Sequence, residues 1–96
     1  MIMDRKALIA ILKEEGYPDY IVENTIVKIE HLQTPVSDAF NQWIKDQKEP
    51  SLSIEGYTFS TLVNQFGMKP VAAFLVLDWL FRDPQKATSS LKKGIK

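Results

Sequence analysis

The chain has no cysteine and a single histidine in 96 residues. The first absence excludes disulfides, thiolate nucleophiles and Cys-ligated zinc. It also fits a reducing compartment. The second leaves His31 without an imidazole partner for metal binding or acid–base work. Glycine is scarce too. The four glycines are singly spaced, so no glycine-rich phosphate loop is present. The longest apolar run is Val71 to Leu77, extended past Asp78 to Phe81. A membrane-crossing helix needs about 20 such residues. The N-terminal Met-Ile-Met-Asp-Arg-Lys lacks the basic start, apolar stretch and small-residue cleavage site of a signal peptide. These absences predict a cytoplasmic protein, one domain over 1–96, with no membrane partner.

Net charge is zero but unevenly spread. Residues 1–49 carry six basic and nine acidic side chains; residues 50–96 carry six basic and three acidic. Lys86, Lys92, Lys93 and Lys96 all follow the last acid, Asp83. A basic end can favour phosphate backbones. Lysines also suit the negative end of a helix dipole, and a solvated helix end is the reading preferred here.

What the chain does have is 45% hydrophobic residues and ordered punctuation. Four of its five prolines, Pro18, Pro35, Pro70 and Pro84, stand where helices would begin. Gly16, Gly67 and Gly94 stand where helices would end. Asp4 is a candidate cap for a first helix through about Glu15, with Ala7, Leu8, Ile11 and Leu12 inward. A second helix runs from Pro18 to about Leu32. Its β-branched residues would also suit a strand, but the apolar stripe persists for about three helical turns. A third follows Thr34-Pro35, with Val36, Phe40, Trp43 and Ile44 on one face, and ends near Asp46. The pattern lapses over 47–56, read as a linker with a short extended piece at Leu52–Ile54. A second helical unit over 57–94 follows. Thr58 caps a fourth helix, ended by Gly67, and Asp83-Pro84 opens a sixth. Between them Val71–Phe81 is apolar on nearly every side, the mark of a buried helix. The predicted fold is all-α: a compact bundle of five to six short helices around a central buried helix at about 70–82. Helix, glycine, proline, helix, proline, helix describes both 4–46 and 58–94, a pattern that internal duplication would also produce.

Chemistry-bearing constellations are few. His31 lies at the end of the second helix and reads as a surface or capping residue. None of the serines sits in a nucleophile-elbow setting. Asp78, inside the apolar helix, reads either as a perturbed acid or as an i,i+4 partner of Arg82; the second is preferred. The expectation is no enzyme, no cofactor and no metal. Thr58–Gly67, a short turn and Val71 onward have the outline of a helix-turn-helix. Base reading needs polar or basic side chains on the second helix, and Val71–Phe81 offers almost none.

One further pattern occupies the first half. Leu8-Ile9-Ala10-Ile11-Leu12-Lys13-Glu14-Glu15-Gly16-Tyr17-Pro18, a second helix, and then Ala39-Phe40-Asn41-Gln42-Trp43-Ile44 resembles a ubiquitin-associated (UBA-like) three-helix module over residues 4–46. That family shows a helix ending in an apolar-Gly-aromatic loop, a second helix, and a third carrying alanine followed by two bulky apolar residues. Glu15 stands where the family usually has an apolar residue, and helix two has Ile21, Val22, Ile26 and Val27 where it has small ones. The resemblance implies a partner-binding surface at Gly16, Tyr17, Trp43 and Ile44, with ubiquitin one candidate partner. The functional expectation is a small non-enzymatic protein-interaction module or adaptor. The alternative is a nucleic-acid-associated regulator using the helix-turn-helix-like second half and the basic C-terminal tail.

Overall fold

The computed structural model describes residues 5–46 and 48–94. Asp4 and Lys96, named above for a cap and for the basic tail, lie outside them. The fold is all-α, with one two-stranded hairpin between the helices. Among the described residues, no helix is long and apolar enough to cross a membrane. The chain divides into two units, through Leu32 and from Gln33.

The first unit is a helical hairpin of α1 (Arg5–Glu14) and α2 (Asp19–Glu30). Leu8 and Leu12 of α1 are buried, one turn apart. Val22, Thr25, Ile26 and Ile29 of α2 are buried at the helical spacing i, i+3, i+4, i+7. The β-branched content of α2 does not make it a strand, because propensity is a weak preference that packing overrides. Thr25 donates its hydroxyl to the Ile21 carbonyl, 2.8 Å away, which lets a polar side chain be buried in the helix. The link between the helices is a Schellman turn. Gly16, at φ 91°, donates to the Lys13 carbonyl, and Tyr17 donates to that of Leu12, both at 3.0 Å. The left-handed backbone this turn requires is the physical reason for glycine at position 16.

The second unit contains α3 (Val36–Asp46), β1 (Ser53–Ile54), β2 (Tyr57–Thr58), a π-helical turn (Thr61–Gln65), α4 (Pro70–Arg82) and α5 (Pro84–Gly94). The segment predicted as linker thus ends in a hairpin. Ser53 faces Thr58 and Ile54 faces Tyr57 across a two-residue Glu55-Gly56 turn. Both turn residues have positive φ, 54° and 83°, as a type I′ turn demands. The predicted cap at Thr58 is present: its Oγ1 accepts the Thr61 N–H at 3.1 Å. The helix that follows widens to π over Thr61–Gln65, closed by Phe66 N–H on the Thr61 carbonyl and ended at Gly67, φ 70°. Pro70 occupies the first turn of α4. Asp83 ends α4 and starts α5. Its N–H reaches the Trp79 carbonyl at 2.8 Å, and its carboxylate accepts the Lys86 N–H at 3.4 Å.

Within this unit α4 is the central element. The helices α3 and α5, the π turn and β1 all pack on it. Phe74 is fully buried and joins three other rings. Its centroid lies 5.0 Å from Phe40, 5.5 Å from Trp43 and 5.0 Å from Phe59. The Phe40 contact is edge-on at 84°, a favoured aromatic geometry. Val71, Ala73, Leu77 and Leu80 complete the buried face.

The expected central helix is present, but it is covered on one side only. Trp79 is 39% exposed and Phe81 46% exposed, and Ala72, Leu75 and Val76 are only half-buried. The covering elements lie against the Phe74–Leu77 side. A chain this short has too few elements to surround a helix completely.

Candidate functional site

Gly16 and Tyr17 belong to the turn between α1 and α2. Gly16 is exposed and Tyr17 half-buried. Lys13 and Asp19 flank this loop and form an exposed ion pair at 3.4 Å. Tyr17 N–H closes the Schellman turn, so the residue has a backbone role whatever its ring does.

Trp43 and Ile44 lie at the end of α3, in the second unit. Trp43 is 9% exposed and makes ring contacts with Phe40 at 6.0 Å and Phe59 at 6.3 Å besides Phe74. Its indole is therefore part of the aromatic core. Ile44 is half-buried.

Asp78 is a structural tie. Its Oδ2 accepts from Arg82 Nε at 2.7 Å, the i,i+4 pair expected from the spacing. Its Oδ1 accepts the backbone N–H of Gln33 at 2.8 Å, a contact between residues 45 positions apart. With both oxygens engaged, the carboxylate can be buried in an otherwise apolar helix at modest cost. His31 is exposed, and its Nδ1 lies 2.8 Å from the Val27 carbonyl one turn back. A carbonyl can only accept, so Nδ1 carries a proton and donates it in this contact. That places His31 as a capping residue at the end of α2.

The other charged cluster is Arg5 with Glu23 at 2.7 Å and Glu30 at 2.8 Å, an exposed link between α1 and α2. The Glu23 hydrogen bond, with the charges of Glu23 and Glu30, raises the Arg5 pKa above its ordinary value. A guanidinium is charged at any working pH, so the consequence is positional rather than catalytic. Among the described residues, no three of His, Asp or Glu converge as a metal site would require. Lys92 and Lys93 are exposed in the last turn of α5.

The surface that sequence reasoning missed is on α4. Ala72, Leu75, Val76 and Trp79 follow the spacing i, i+3, i+4, i+7 and form a second apolar stripe opposite the buried one. The signal was in the sequence, since a helix apolar all round carries two such stripes. Only the packing decides which of them is covered. No family model, curated protein or solved structure matches the chain.

Proposed function

We propose that the chain is a small, non-enzymatic protein-interaction module, an adaptor, whose contact surface is the outward face of α4. The observation that carries this reading is the exposure of Trp79, beside half-buried Ala72, Leu75 and Val76, on the central helix of the second unit. Contiguous exposed apolar side chains on a small protein are typical of interaction surfaces, and tryptophan is among the residues that most often anchor them. The likeness of residues 4–46 to the UBA-like family supports the same class of function. The reading rests on α4 rather than on Gly16, Tyr17, Trp43 and Ile44, because Trp43 is buried among aromatic rings. The absence of cysteine supports a cytoplasmic setting.

The test is Trp79→Ser. Trp79 is 39% exposed, so the helical circular dichroism should be retained. Proteins captured from lysate by the unmodified chain should be lost with the variant. An unchanged capture profile would sink the reading. If instead the chain binds labelled nucleic acid with affinity falling steeply as salt rises, the regulator reading replaces it.

A further inference from the structure

We draw no further inference here: the strongest candidate, the apolar stripe of Ala72, Leu75, Val76 and Trp79 on the outward face of α4, belongs to the surface already described, and nothing in the structure shows what covers it.

Discussion

Replacing Phe74 with alanine should be the most damaging single change in the second unit. The ring is fully buried on α4 and touches Phe40, Trp43 and Phe59, which come from α3 and from the start of the π-bearing helix. Truncation of a buried phenylalanine costs about 3–5 kcal/mol through lost transfer energy and the cavity left behind. Each aromatic contact adds roughly 0.5–1.5 kcal/mol beyond area. Three contacts at 5.0–5.5 Å put Phe74→Ala at the top of that range, about 5 kcal/mol. A domain of this size has roughly 5–15 kcal/mol of stability to lose. At about 4–8 °C per kcal/mol, the melting temperature should fall by about 20 °C or more, so the comparison is best made in the cold. Urea unfolding followed by far-UV circular dichroism measures the loss. Phe81→Ala is the internal control: the same residue type on the same helix, but 46% exposed. It should cost under about 1 kcal/mol. Equal shifts for Phe74→Ala and Phe81→Ala would refute the assignment of α4's buried side.

Asp78→Ala should destabilise by about 1–3 kcal/mol, since it strands the Gln33 N–H as well as Arg82. Asp78→Asn keeps an oxygen for Gln33 and should cost less, and Arg82→Ala least of all, because Arg82 is well exposed. Urea midpoints in any other order would count against the tie. Glu55→Asn should stabilise by up to about 1 kcal/mol, because asparagine tolerates the left-handed backbone that glutamate adopts at φ 54°. A lower thermal midpoint for that variant would mean the turn is not type I′.

Much of the secondary structure was legible because its signals are local. Gly16 and Gly67 take the left-handed backbone that ends a helix, Pro70 opens α4, and Thr58 caps the helix after it. The hairpin was legible only in part. Leu52–Ile54 reads as extended, but Glu55-Gly56 lacks the asparagine that most strongly marks a two-residue turn. The π widening of Thr61–Gln65 has no sequence signature here. For the candidate surface, the apolar stripe of Ala72, Leu75, Val76 and Trp79 was readable as a stripe and not as an exposed one.

The sequence by itself determined where helices start and stop, since steric limits on proline and glycine act within a residue or two. It also determined that α4 would be the apolar centre of its unit, because no other segment carries so continuous a run. The tertiary structure alone decided which side of α4 is covered, that Trp43 is buried with Phe74, and that Asp78 receives a backbone N–H from Gln33. Each of those outcomes depends on which distant segments meet. Burial is a property of the assembled surface, and no window of neighbouring residues contains it.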